Sequence, residues 1–128
     1  MVALTQPVAD AVLAPPLVPV ARAIDVDHLS HMTLGDRALE REVLQLFVRQ
    51  TEMLRSRMDL ADPEMTGASA HTVRGSAQGI GAFAVAQAAE QVESKARTGD
   101  FKGLEGALMA LDLAVREAAL DISEILRG

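Results

Sequence analysis

The sequence predicts an all-α protein: an antiparallel up-down four-helix bundle with a short additional N-terminal helix. Apolar residues recur at spacings of three and four over long segments, which is typical of amphipathic helices. No segment shows the period-two alternation of a half-buried strand. The chain is 49% hydrophobic, yet its only aromatic residues are Phe47, Phe83 and Phe101. Such a core favours helix packing, because strands are enriched in aromatic and β-branched residues.

The N-terminal part of the chain is rich in proline, and we interpret residues 1–24 as a flexible leader to a bundle of residues 25–128. Proline lacks an amide hydrogen and interrupts a helix, and this stretch carries four prolines: Pro7, Pro15, Pro16 and Pro19. Two arrangements of the leader remain open. It is either disordered, or it lies along the bundle through three apolar residues: Leu13, Leu17 and Val18.

Two helices are expected next. Asp25 or Asp27 is suited to cap a short helix over residues 26–34, with Leu29 and Met32 facing inward and Gly35 at its end. Asp36 then caps a long helix over residues 37–60. Its expected apolar stripe consists of Leu39, Val43, Leu46, Phe47, Met53 and Leu54.

Three further helices follow, with a break between each pair. Asp62-Pro63 predicts a turn with proline in the first turn of a helix over residues 63–80. The next helix covers residues 82–98, after the glycines on either side of Ile80. Thr98-Gly99-Asp100 then separates it from a last helix over residues 101–127. That helix carries an apolar seam of Phe101, Leu104, Leu108, Leu111, Val115, Ala118, Ile122 and Ile125. The methionines, among them Met53, Met58, Met65 and Met109, are expected to fill gaps in the core.

Composition excludes several classes of function. Cysteine is absent, which rules out disulfides and thiolate catalysis and agrees with a cytoplasmic location. The net charge is −6 with no run of Lys and Arg, so a nucleic-acid partner is not expected. No apolar stretch reaches the roughly 18–20 residues that a membrane span needs. His28 and His31 are spaced three apart, but two histidines do not complete a metal site. We therefore expect neither a metal nor a membrane.

The most informative segment surrounds His71. On a helix at 100° per residue, Thr66, Ala70, Val73, Ala77 and Ile80 form the apolar face, and His71 lies roughly opposite. Three residues lie beside the imidazole, at offsets of three, four and seven: Arg74, Gly75 and Gln78. A glycine inside a helix costs about 1 kcal/mol relative to alanine, so Gly75 needs a reason other than stability.

This arrangement suits phosphoryl transfer. An imidazole with an ordinary pKa of about 6.5 offers a nucleophilic nitrogen around neutral pH. Arg74 can form charge-assisted bonds to phosphate oxygens, and Gly75 leaves open helix surface for a partner's active site. A phosphoryl transfer site depends mainly on positioning and on neutralising charge.

The segment resembles the signature of the histidine-containing phosphotransfer (HPt) domain family. The matching residues are His71-Thr72-Val73-Arg74-Gly75-Ser76 and Ile80-Gly81-Ala82, followed on the next helix by Ala86, Ala89 and Val92-Glu93. The resemblance extends over about residues 25–127, with Arg74 where lysine is commoner.

The resemblance implies a four-helix bundle that relays phosphate in two-component signalling. The partners it implies are a response-regulator receiver domain, a hybrid histidine kinase, or both. His71 would be the phosphoacceptor through its outward Nε2, and Arg74 would neutralise the phosphate. Gly75 would permit close approach of the receiver, and Glu93 would orient the imidazole through Nδ1. Ser76 and Gln78 belong to the expected docking surface. The protein would be a phosphocarrier without a cofactor, Mg²⁺ being supplied only by the partner's receiver site.

Other interpretations remain alternatives. The chain could be a helical adaptor or oligomerisation domain that retains the bundle without the chemistry. Glu93 and Gln78 would then be ordinary surface residues. Leu113 and Leu120 lie off the main seam of the last helix, seven apart. They are positioned to cover either the leader or a second subunit.

Overall fold

The structure, a computed structural model, describes residues 22–128 and contains five helices and no strand within that range. Four long helices form an antiparallel up-down bundle, and a short helix precedes them, which confirms the predicted fold class. The helices are α1 (Val26–Met32), α2 (Arg37–Ser56), α3 (Pro63–Ile80), α4 (Phe83–Thr98) and α5 (Phe101–Arg127). Within residues 22–128, no helix is long and apolar enough to cross a membrane.

Aspartate caps begin four of the five helices. The carboxylates of Asp25, Asp36, Asp62 and Asp100 each accept a hydrogen bond from the amide three residues ahead. These bonds satisfy amides that lack a partner within the helix. The predicted starts of α1, α2, α3 and α5 are therefore confirmed.

The second helix is shorter than predicted, ending at Ser56 instead of residue 60. Thr66 accounts for the path of the chain beyond it. The Thr66 hydroxyl donates to the carbonyl oxygen of Asp59 at 2.9 Å and accepts from the Asp59 amide at 2.7 Å. Because these bonds tie the Asp59 backbone to α3, the chain leaves the helical path and turns. Met58 is buried at this turn, as expected for a methionine of the core.

The most extensive helix packing in the bundle is between α3 and α4. Ala70, Ala77 and Ala89 are completely buried, and so is Val73. Small side chains on facing helices allow the two backbones to approach closely. This packing holds α3 against α4 and so sets the position of every residue on the outer face of α3.

The predicted apolar stripe of α2 is partly wrong. Phe47 and Leu54 are buried as expected, but Leu39, Leu46 and Met53 are 40%, 45% and 48% exposed. Leu46 and Met53 each precede a buried residue by one position, which places them about 100° around the helix from the core. The face that α2 turns to the bundle instead includes Leu44 and Thr51.

Several other apolar residues lie outside the core, contrary to expectation. Met32 is 55% exposed, and Phe101, at the very start of α5, is 57% exposed. Met65 and Met109 are also exposed, as is Met53, so the interpretation of these methionines as core fillers is wrong. Met109 lies two positions from the buried Leu111, on the opposite side of α5.

Residues just before α1 pack on the bundle. Ile24 is completely buried, and its amide donates to the Asp121 carboxylate at 2.9 Å. The expectations for Leu13, Leu17 and Val18 fall outside the described residues. The division of the chain at residue 24 stays a prediction. Leu113 and Leu120 are exposed, at 53% and 65%.

Candidate functional site

His71 lies midway along α3 with its side chain 62% exposed. The opposite side of the helix is formed by completely buried residues, including Ala70, Val73 and Ala77. Asp62 and Pro63 begin α3, and Gly81 ends it in the left-handed conformation. The imidazole is therefore carried on a well-anchored helix and faces outward, where the helical periodicity places it.

Glu93 reaches the imidazole from the neighbouring helix α4. Its Oε2 lies 2.9 Å from Nδ1 of His71, and its side chain is 20% exposed. A carboxylate only accepts hydrogen bonds, so the proton between these two atoms belongs to Nδ1. In the neutral ring, Nε2 then carries the lone pair. Among the described residues, Nε2 has no hydrogen-bond partner.

Arg74 lies on the Nδ1 side of the imidazole. Its Nη1 is 3.4 Å from Oε1 of Glu93, and its Nη2 is 3.4 Å from Nδ1 of His71. Because the Nδ1 proton is donated to Glu93, Nδ1 has no lone pair to accept from the guanidinium. Oε1 of Glu93 is buried and makes no hydrogen bond within the described part of the chain. Arg74 and Glu93 are therefore an ion pair without a well-formed hydrogen bond.

The surface beyond His71 is open on the side of Gly75. A Cβ atom added at Gly75 would meet nothing within 4 Å. Gln78 is exposed three residues further along, and Ser76 is half-buried beside Gly75. Gln78 lies about two turns from His71 on the same face of α3, and Ser76 lies about 140° around the helix from it.

On the other side of His71 lies a groove of about 840 Å³ between α3 and α4. Gly67 and Ala68 form part of its wall, and Ala96 and Arg97 lie across from them. These residues were not predicted from the sequence. The available signal was that Gly67 and Ala68 precede His71 by four and three positions and are both small, so they leave room next to the imidazole.

The two other histidines lie in α1. His28 donates from Nε2 to the carbonyl oxygen of Gln78 at 3.0 Å and packs edge-on against Phe83, with 5.1 Å between ring centroids. His28 thus ties α1 to the end of α3. Across the part of the chain that the structure describes, no three side chains of the metal-binding types come together.

Comparison with known proteins gives a family. The family model of the Hpt domain matches residues 42–122, which is more than half of the chain. Among solved structures, the histidine phosphotransferase ShpA from Caulobacter crescentus is 31% identical, with a TM-score of 0.55. The match covers 82% of this chain and 96% of that one. A search of curated proteins found no match.

The family match spans the features that the structure brings together. It includes α3 with the outward His71 and α4 with Glu93, as well as most of α2 and α5. Hpt domains are phosphorelay carriers, and the family generally interacts with receiver domains and histidine kinases. On its sequence match, its helical bundle and its likeness to a histidine phosphotransferase, this chain belongs to the Hpt domain family.

Proposed function

We propose that the protein relays a phosphoryl group on Nε2 of His71, in exchange with the receiver domain of a response regulator or of a hybrid histidine kinase. The observation that carries this proposal is the 2.9 Å contact between Nδ1 of His71 and Glu93, in a side chain that is 62% exposed. Since Glu93 accepts the Nδ1 proton, the nucleophilic lone pair resides on Nε2.

The transfer step is a displacement at phosphorus. The Nε2 lone pair forms the N–P bond while the P–O bond to the donor aspartate breaks, and the bonding electron pair leaves on the aspartate carboxylate. The proton on Nδ1 stays there, hydrogen-bonded to Glu93. Positive charge that develops on the ring is then 2.9 Å from a carboxylate oxygen, which favours the charged product. Onward transfer is the same step in reverse, with a second aspartate as acceptor.

Other side chains take supporting roles in this proposal. Arg74 neutralises the phosphoryl oxygens, Gly75 allows the receiver to approach closely, and Ser76 and Gln78 contact the docked receiver. The protein acts as a carrier with a phosphohistidine intermediate, so it does not turn over a substrate of its own. Mg²⁺ comes with the acidic site of the partner receiver, where it neutralises the phosphoryl group during transfer.

The test is transfer from a receiver domain phosphorylated with radioactive phosphate. We expect label on this protein that is stable in alkali and lost in acid, as a phosphoramidate is. The label should disappear in His71→Gln and persist in His31→Gln, which removes an exposed histidine from α1. Label that survives His71→Gln contradicts the proposal. If none of a set of receivers transfers phosphate to the wild type, the adaptor interpretation is favoured.

A further inference from the structure

The guanidinium of Arg74 lies on the Nδ1 side of His71. A group that only neutralised phosphate would lie on the Nε2 side. Both of the closest polar contacts of the guanidinium, at 3.4 Å, are on the Nδ1 side: Oε1 of Glu93 and Nδ1 of His71. The phosphoryl group would be attached to Nε2, across the ring. To pair with that group, Arg74 has to turn away from Glu93.

The second carboxylate oxygen of Glu93, Oε1, depends on Arg74 for a neighbouring positive charge. Oε2 accepts from His71, whereas Oε1 is buried without a hydrogen bond. A buried carboxylate oxygen without a partner is costly, and a nearby cation offsets part of that cost. Arg97 lines the same groove but is not within salt-bridge distance of Glu93, whose one cationic neighbour at that distance in the described chain is Arg74.

We propose that Glu93 and the phosphoryl group on His71 compete for Arg74, so that Glu93 limits how strongly Arg74 stabilises the phosphohistidine. This inference rests on the proposed function and concerns the same site. In the unphosphorylated protein, Arg74 balances the charge of Glu93. When His71 is phosphorylated, Arg74 can pair with either the Glu93 carboxylate or the phosphoryl group. Pairing with one leaves the other less well neutralised.

The competition has a functional consequence. A carrier must release its phosphoryl group to the next receiver, and a strongly paired phosphohistidine would be a poor donor. By drawing Arg74 back, Glu93 raises the free energy of the phosphorylated state, and this effect opposes and exceeds the favourable pairing of Glu93 with the charged ring. Arg74 thus binds the phosphoryl group, and the positioning residue Glu93 sets how strongly it does so.

A simpler explanation would give part of the same effect. Glu93 is negative and lies near the phosphoryl group, so direct repulsion between them also destabilises the phosphohistidine. The two explanations differ in their dependence on Arg74. Direct repulsion persists when Arg74 is removed, whereas competition for Arg74 does not. A double-mutant cycle therefore separates them.

The experiment uses the full chain, phosphorylated chemically with potassium phosphoramidate so that no partner protein is needed. Phosphorus NMR follows the loss of phosphohistidine in the wild type, Glu93→Gln, Arg74→Gln and the double variant. Glutamine keeps an oxygen that accepts from Nδ1, but it has no charge. We expect Glu93→Gln to lengthen the phosphohistidine lifetime at least about threefold when Arg74 is present, and less than about twofold when it is absent.

Controls match each change. Glu90→Gln removes an equal charge from an exposed position three residues earlier on α4, in a different groove, and should not alter the lifetime. Arg49→Gln is the corresponding change of an exposed arginine on α2. Arg74→Lys restores a cation and should restore the effect of Glu93→Gln. Circular dichroism establishes that every variant remains helical.

Two outcomes would overturn the inference. If Glu93→Gln lengthens the lifetime equally with and without Arg74, direct repulsion is sufficient and the competition is refuted. If Glu93→Gln leaves the lifetime unchanged in the wild-type background, Glu93 does not restrain Arg74. Neither outcome affects transfer from a receiver to His71. Failure of receiver transfer while the cycle shows coupling would instead contradict the proposed relay and leave the competition standing.

Discussion

The backbone amide of Asp25 donates a hydrogen bond of 2.9 Å to the carbonyl oxygen of Gly81. The carbonyl oxygen of Asp25 would in turn lie 2.9 Å from a Cβ atom on Gly81, whose φ is +85°. The close approach of these two backbones joins the start of α1 to the end of α3. Glycine is therefore required at this position both for its conformation and for the space it leaves.

Gly81→Ala should destabilise the protein by roughly 2–4 kcal/mol, because it combines left-handed strain with a collision against backbone. Gly99→Ala is the matched control, since Gly99 also ends a helix at positive φ but a Cβ atom there would meet nothing within 4 Å. It should cost only about 1–2 kcal/mol. Urea unfolding of both variants gives the comparison. Equal losses would show that the contact with Asp25 contributes nothing.

Gly75→Leu should raise the stability of the fold but slow phosphoryl transfer from a receiver. A side chain at Gly75 has open space, and leucine is a better helix former by roughly 0.5–1 kcal/mol, so the variant should unfold at higher urea concentration. Transfer from a phosphorylated receiver should fall at least about tenfold, since the added side chain blocks close approach. Chemical phosphorylation by phosphoramidate should be unchanged.

Gly106→Leu is the control for that prediction. Gly106 is also an open helical position, on α5. The substitution should raise stability by a similar amount and leave receiver transfer intact. Normal receiver transfer to the Gly75 variant would remove the proposed role of that glycine.

Leu111 and Leu113 are two positions apart on α5 but differ completely in burial. Leu111 is completely buried, and Leu113 is 53% exposed. Leu111→Ala should lower the free energy of unfolding by about 2–5 kcal/mol, because it leaves a cavity in the core. Leu113→Ala should change it by no more than about 0.5 kcal/mol. A large loss at Leu113, measured by urea unfolding, would mean that something covers this residue in solution.

Asp100 should make the stability of the fold depend on pH in the acid range. The hydrogen bond from the Gly103 amide, at 2.9 Å, holds the pKa of the Asp100 carboxyl below its ordinary value, and Lys95 adds a smaller effect in the same direction. A group with a lowered pKa stabilises the fold fully above the pKa of the unfolded chain, about 3.9 for aspartate. That stabilisation is lost as the pH falls through the lower folded value.

The stability difference between wild type and Asp100→Asn should therefore be constant near neutral pH and shrink below about pH 4. Thermal unfolding followed across that range measures it. Asp27→Asn, at an exposed aspartate in α1, provides the comparison for loss of a surface charge. A difference that grows as the pH falls would contradict the assigned role of the Gly103 hydrogen bond.

Predictions from sequence were most accurate where the cause is local. Asp36 caps α2 as predicted, by accepting a hydrogen bond from the amide three residues ahead. Asp62 and Asp100 lie at predicted breaks between helices and cap α3 and α5 in the same way, so the necessary information lies within a few positions. Helical periodicity predicted that His71 lies opposite the apolar residues of α3, and in the structure it faces outward on that side. The end of α2 was misplaced because Thr66, in the next helix, determines how the chain leaves it.

The face of α2 could not be derived in the same way. Leu46 and Phe47 are adjacent and similarly apolar, yet Phe47 is 4% exposed and Leu46 is 45% exposed. Which of the two lies inward depends on how α2 is rotated against its neighbours. Rotation is decided by packing across the whole bundle, where a small residue on a facing helix can outweigh a hydrophobic one on α2.

The sequence by itself determined the order of the helices, the starts of four of them and the outward position of one histidine, because a helix relates side chains by a constant angle per residue. Only the tertiary structure decided that the carboxylate of Glu93 meets Nδ1 at 2.9 Å and that Arg74 faces this carboxylate. His71 and Glu93 belong to different helices. The distance between their side chains depends on the spacing of α3 and α4, which the buried alanines between them establish.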